Sequence, residues 1–313
     1  MPTPLRYASH PSWTRYRELL ARRFGIHVAS EPIEREQDWR GHRLHIDEWS
    51  ASGSPLGTLI FVHGGGGHGR LFAPYAEWAV ALGWRVLAPD LPGFGLTRVR
   101  PGWDWDAREW PECVAELATQ AAGQGPVILV GLSLGGITAL RAAQLCGVVR
   151  GVVVTTLIDL RDPETLVRAA RWHWLGRLTV WLARWAPWLL DRLPLPLGLA
   201  TPIGSLTSDL ELRRYFETDR LLGRRIVWGR LFRSLHAYEP PRPNYDLACP
   251  LLLVHPGADE WPPTAMSMPI FAGITSEKRL HELSNGAHLP LEQPAHDELR
   301  EQVGAWLRQV AGL

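Results

Sequence analysis

Lysine is almost absent from this chain. Lys278 is the only one, and arginine supplies the rest of the 33 basic residues, which 32 acidic residues balance. Without an excess of either charge the chain has little with which to hold a polyanion, so no nucleic-acid partner is expected. Cysteine is scarce too. Cys113, Cys146 and Cys249 stand far apart, with no CxxC or Cys/His ligand spacing. That points to reduced thiols in a cytoplasmic protein rather than a disulfide framework or a metal site. Long apolar runs are missing. The nearest candidate, residues 172–193, is interrupted by Arg177, Arg184 and Asp191, so no transmembrane segment is expected. The first residues show no apolar stretch behind a basic start, and no signal peptide is expected. Repeats and low-complexity tracts are absent as well.

What is present is apolar patterning. Hydrophobic residues make up 46% of 313, enough for one α/β domain carrying an inserted subdomain. Short apolar, β-branched runs predict strands near 43–49, 58–62, 84–88, 126–130, 151–156, 250–255 and 279–283. Helical periodicity occupies 13–24, 71–82, 107–122, 134–145 and 295–310. Strands alternating with helices predict a mostly parallel central sheet covered by helices on both faces. The alternation lapses between about 157 and 241, where Trp, Leu, Arg and Pro dominate and strand signals vanish. That stretch reads as a helical cap inserted between two strands. The expected organisation is a first core segment, 1–157, with an N-terminal helical extension, then a cap, 158–240, and a second core segment, 241–313.

Three strand ends carry chemistry. Gly131-Leu132-Ser133-Leu134-Gly135 follows one strand and opens a helix, the setting of a G-x-S-x-G nucleophile elbow. The turn is sharp, so side chains two residues either side of the serine would collide. It also places the Ser133 hydroxyl at a helix N-terminus, where the dipole favours negative charge. His63-Gly64-Gly65-Gly66-Gly67-His68-Gly69-Arg70 follows another strand directly. Acyl transfer needs backbone N–H donors aimed at an oxyanion. Leu134 would give one donor, and Gly65, or failing that Gly66, the second. A phosphate-binding loop would need Gly-Lys-Ser/Thr where this chain has Gly-His-Gly-Arg. Finally, a serine needs a base and the base an orienting acid. Asp259 lies just past one late strand and His288 just past the next, which gives the chain order Ser133, Asp259, His288. Glu260 and Asp159 compete with Asp259 for the acid's role.

The chain resembles the α/β-hydrolase superfamily from about residue 57 onwards, the cap excepted. The resemblance rests on HGGGGHGR, the stretch Pro89–Gly95, GLSLGG, HPGADEWPP and NGAHLPLEQP. Within the superfamily it is similar to capped esterases, monoacylglycerol lipases and C–C hydrolases. This implies an α/β-hydrolase fold, and a serine hydrolase that cleaves carboxylic esters with an apolar acyl or alcohol part and needs no cofactor or metal. Asp90 would be structural. The same triad would serve a thioesterase, an acyltransferase or a C–C hydrolase. A reading of another class, a binding protein with a dead site, sits poorly with intact Ser133, Asp259 and His288.

The cap offers a further hint. Trp174, Leu178, Trp181, Trp185 and Leu189 recur at helical spacing, with Arg177, Arg184 and Asp191 assigned to the opposite face. This stripe is expected to face inward, either packing on the core or roofing an acyl pocket through Trp181 and Trp185, with His63 also lining it. The alternative is that it touches lipid transiently to admit a hydrophobic substrate.

Overall fold

The computed structural model describes residues 5–312, apart from 241 and 243. The expected start of the second core segment at 241, and residues 1–4 and 313, lie outside the described residues. Eight strands form one sheet in the order β1-β2-β4-β3-β5-β6-β9-β10. They are β1 (Ile33–Trp39), β2 (His42–Trp49), β3 (Thr58–Val62), β4 (Arg85–Pro89), β5 (Val127–Gly131), β6 (Val149–Val154), β9 (Leu251–His255) and β10 (Lys278–Glu282). From β4 to β10 every neighbour is parallel, and β1 and β2 join one edge antiparallel. The inner strands β3, β5 and β9 are buried at every residue, as continuous apolar runs in a doubly covered sheet should be. Helix α3 (Glu109–Ala121) packs with α4 (Leu134–Leu145), and α2 (Ala73–Ala81) with α12 (Ala295–Ala311), covering the two faces. This is the α/β-hydrolase fold expected from the sequence.

Strand β1 was not foreseen. Its residues, IEREQDW, are mostly polar because it is an edge ribbon, buried only at Trp39 and half-buried at Glu34 and Gln37, so no clear alternation marks it. Helix α11 (Thr264–Gly273) also lacked a signal, since Pro269 lies inside it.

Strands β6 and β9 are direct neighbours in the sheet although about a hundred residues separate them. The intervening chain is the helical insertion. It contains α5 (Pro163–Ala169), α6 (His173–Trp185), α7 (Pro187–Leu190), α8 (Leu197–Ala200), α9 (Leu210–Thr218) and α10 (Gly229–His236). It is not wholly helical: β7 (Pro194–Pro196) pairs antiparallel with β8 (Ile226–Trp228). Three residues a strand, two of them proline in β7, are too few to show a period.

The N-terminal helix is split into α1 (Pro11–Leu19) and a π-turn over Leu20–Phe24, and it clamps the cap to the core. Tyr16 stacks on Tyr215 of α9 with ring centroids 5.7 Å apart, while its hydroxyl donates to the Leu71 carbonyl at 3.2 Å.

Candidate active site

Ser133 sits between β5 and α4 with φ 57°, one of three described non-glycine residues in the left-handed region. Such a backbone costs about 1–3 kcal/mol and persists only where the surroundings impose it. Here they do. A side chain on Gly131 would strike the Gly135 carbonyl, one on Gly135 the Val62 carbonyl, and one on Gly136 the Thr156 carbonyl. The start of α4 is thus pressed against the ends of β3 and β6, and the chain can turn only at Ser133. The Ser133 amide donates to the Thr155 hydroxyl at 3.3 Å.

The glycine loop after β3 comes up beside this turn. A Cβ on Gly64 would lie 2.7 Å from the Ser133 Cβ and 3.1 Å from its Oγ, and one on Gly65 would lie 3.7 Å from Leu134 Cδ2. Gly65 is exposed, whereas Gly66 is buried with φ +84° beneath Leu197 of the cap. Of the two candidate donors, Gly65 therefore lies open beside Leu134 and Gly66 lies covered.

His63 does not line a pocket. Its Nε2 accepts the Leu91 amide at 2.9 Å, so the proton resides on Nδ1, which donates to the Gly64 carbonyl at 2.8 Å. Burial holds its pKa below the usual value, and the neutral ring is a strut between two loops.

The two late loops are tied together. The Gly257 amide donates to the Asn285 carbonyl at 3.0 Å and the Ala258 amide to the Gly286 carbonyl at 3.1 Å. This brings His288 Nδ1 within 2.6 Å of Asp259 Oδ2, with both side chains essentially inaccessible. The other carboxylate oxygen accepts the Trp261 amide at 2.9 Å. His288 Nε2 is buried without a hydrogen-bond partner among the described residues. The competing acids are elsewhere. Glu260 is exposed, and Asp159 is held by Arg161 at 2.6 Å and the Tyr245 hydroxyl at 3.1 Å.

Trp261 escaped sequence reasoning. Its ring lies 5.4 Å from that of His288, and its Nε1 donates to the Arg168 carbonyl on α5 at 3.3 Å. It therefore ties the loop that carries Asp259 to the cap. A second tie runs from the Leu289 amide to the Leu206 carbonyl at 2.9 Å.

Beneath the glycine loop lies a buried ionic cluster. Asp90 accepts the Gly69 amide at 2.7 Å, the Leu96 amide at 2.7 Å and the Tyr7 hydroxyl at 2.9 Å, which fixes the loop from below. Glu34, His45 and Asp47 place ligand atoms within 4.8 Å of one another, a spacing a metal could use. A cation already fills the place: the Arg70 guanidinium binds Asp47 through two bonds of 2.7 and 2.8 Å.

Burial works against a charge on His45, but Asp90 and Glu34 outweigh it and raise the imidazole from 6.5 to about 10. A raised folded-state pKa gives stability that is fully present below 6.5 and is lost as pH climbs towards 10. The melting temperature should therefore fall by about 5 °C or more between roughly pH 7 and 10. His45→Gln should melt lower at neutral pH and show a shallower decline. Parallel slopes for the two proteins, followed by circular dichroism, would remove His45 from this account.

Comparison with known proteins agrees with the architecture. Residues 59–300 match the model of the alpha/beta hydrolase family. A pimeloyl-[acyl-carrier protein] methyl ester esterase of Xanthomonas oryzae pv. oryzae is 38% identical over 97 residues, covering 31% of this chain and 35% of that enzyme. An esterase of Mycobacterium tuberculosis is 34% identical over 118 residues, covering 38% of this chain and 37% of its own length. The alignments thus span little more than a third of these curated relatives. Among solved structures, a monoglyceride lipase of Saccharomyces cerevisiae bound to a substrate analogue superimposes with a TM-score of 0.72. It is 15% identical, with 90% of this chain and 96% of that one covered. A monoacylglycerol lipase of Paleococcus ferrophilus gives a TM-score of 0.62 at 22% identity, with coverage of 85% and 99%. With the family model matching most of the chain and the sheet order, elbow and insertion all in place, this protein belongs to the alpha/beta hydrolase family.

Proposed function

We propose that this chain is a serine hydrolase cleaving carboxylic esters that carry an apolar acyl or alcohol part. The observation that carries the reading is the state of His288: Asp259 holds Nδ1, while Nε2 is buried and uncommitted. In the proposed mechanism Nε2 takes the Ser133 proton as Oγ bonds to the ester carbonyl carbon. Asp259 keeps the proton on Nδ1 and stabilises the imidazolium. The Leu134 and Gly65 amides receive the oxyanion. When the intermediate collapses, the C–O bond breaks and the alkoxide leaves with the proton from Nε2. A water then gives its proton to Nε2 and attacks the acyl-enzyme, and Ser133 is restored as the acid departs. No metal or organic cofactor takes part.

An apolar substrate fits the largely apolar side chains between α4 and the cap. Leu134, Ile137, Leu160 and Leu235, with Arg141 and Asp159 on one side, line a space of about 30 Å³ beside α4. Leu160, Leu166, Leu175 and Phe232 line a neighbouring space of about 40 Å³ within the cap. Both spaces are small, and a long acyl chain is expected to need a shift of the cap. The likeness to esterases and monoacylglycerol lipases favours an ester over a C–C bond. A series of p-nitrophenyl esters from acetate to octanoate tests the reading. Leu160 borders both spaces, so Leu160→Trp should displace two or three methylenes and cut the octanoate-to-acetate ratio of kcat/KM by roughly 10- to 60-fold. No turnover of any ester would overturn the proposal.

A further inference from the structure

The tryptophan stripe of α6, continued by α7, faces outward. Trp174, Trp181, Trp185 and Trp188 are 60%, 55%, 65% and 63% exposed, and Leu178 and Leu189 are exposed beside them. The helix is held down by other residues. Gly176 is buried against Val167 of α5, where a Cβ would lie 2.6 Å from the Val167 Cα, and Leu182 is buried nearby. The expectation that Trp181 and Trp185 pack on the core or roof the pocket is therefore corrected. Periodicity marks an apolar face, and a cap helix can turn that face to either side.

The arginines are corrected too. At about 100° per residue, Arg177 and Arg184 stand roughly 70–90° from the middle of the stripe, beside it rather than opposite. Both are exposed. The Arg184 guanidinium lies 5.3 Å from the Trp185 ring, and Arg171 lies 5.1 Å from Trp172 at the head of the helix. Helix α6 contains no acidic residue. The nearest in sequence, Asp191, is neutralised by Arg233 at 2.6 Å and Arg230 at 3.1 Å.

We propose that this face of α6 and α7 docks on the surface of an anionic phospholipid bilayer. Indole rings carry an apolar body and one N–H, which suits the headgroup boundary. Arginines at the rim pair with anionic headgroups while their stems lie along apolar surface. A second copy of this chain fits less well, because a two-fold contact through the stripe would bring the arginine rims of both copies together. The docked face also reaches the candidate site: α6 packs on α5, whose Arg168 carbonyl receives the Trp261 indole beside His288.

The test is flotation of the full chain with vesicles of phosphatidylcholine alone and with about 30% phosphatidylglycerol, at low and at high salt. The wild type should float with the anionic vesicles and release partly as salt rises. Trp181→Ser with Trp185→Ser should weaken binding to both vesicles at least about tenfold. Arg177→Gln with Arg184→Gln should abolish the preference for anionic lipid. Both variants should keep their melting temperature within about 2 °C, since exposed side chains contribute little to the fold. The proposal is overturned if the wild type floats with neither vesicle or if the tryptophan variant binds like the wild type. It is also overturned if light scattering finds a dimer that the tryptophan variant dissolves. Because the readout is binding, its failure is distinct from failure of the esterase reading.

Discussion

Ser133→Ala should lose ester turnover by about 10⁴-fold or more while remaining folded. Removing the nucleophile leaves only the oxyanion donors and substrate binding, which cannot open a route through an acyl-enzyme. The loss should fall on kcat, with KM little changed, because the hydroxyl contributes to bond formation rather than to holding the apolar part. Strain adds a second readout. At φ 57° the serine Cβ opposes the backbone, and alanine retains that penalty. Ser133→Gly should be equally inactive yet melt higher than Ser133→Ala, by the equivalent of about 1 kcal/mol. Equal melting temperatures would mean that the elbow is unstrained.

Asp259→Asn should cost about 10³- to 10⁴-fold in kcat, roughly 4–5.5 kcal/mol of transition-state stabilisation. An amide at this position would present either N–H or C=O to His288 Nδ1. The N–H would force the proton onto Nε2, the atom that must accept from Ser133. The C=O would preserve the tautomer but remove the charge that balances the imidazolium. Glu260→Gln should change activity less than about twofold, because Glu260 is exposed and takes no part in the bond to His288. Asp159→Asn should act on stability instead, since it loosens Arg161 and Arg141. If Glu260→Gln were the more damaging change in steady-state kinetics, the acid would be one residue away from the position argued above.

The sheet and the candidate triad were legible for a common reason. Each motif abuts a strand end, and a buried strand followed by glycines is a local signal that needs no knowledge of distant packing. Gly131 and Gly135 flank Ser133 because the chain there passes backbone against backbone, so the steric demand is itself written in sequence. His63 misled because a histidine at the head of a glycine loop resembles a functional residue. Only the fold reveals that Leu91 and Gly64 engage both its nitrogens. The cap was legible as an insertion but not in its orientation. A stripe at helical spacing defines a face, and whether it meets protein or water depends on where Gly176 and Leu182 find partners. Trp261 and the clamp of Tyr16 on Tyr215 were invisible for the same reason, since both join segments far apart in sequence.

Labelling with a fluorophosphonate, followed by mass spectrometry of the digested protein, tests Ser133 as the nucleophile most directly. The probe reacts with a serine whose proton is drawn off by a base beside donors for the phosphoryl oxygen. A single adduct is expected on the peptide bearing Ser133, its rate of formation reduced at least about 10²-fold by His288→Ala. Labelling at another residue, or no labelling of a folded protein, would contradict that role for Ser133.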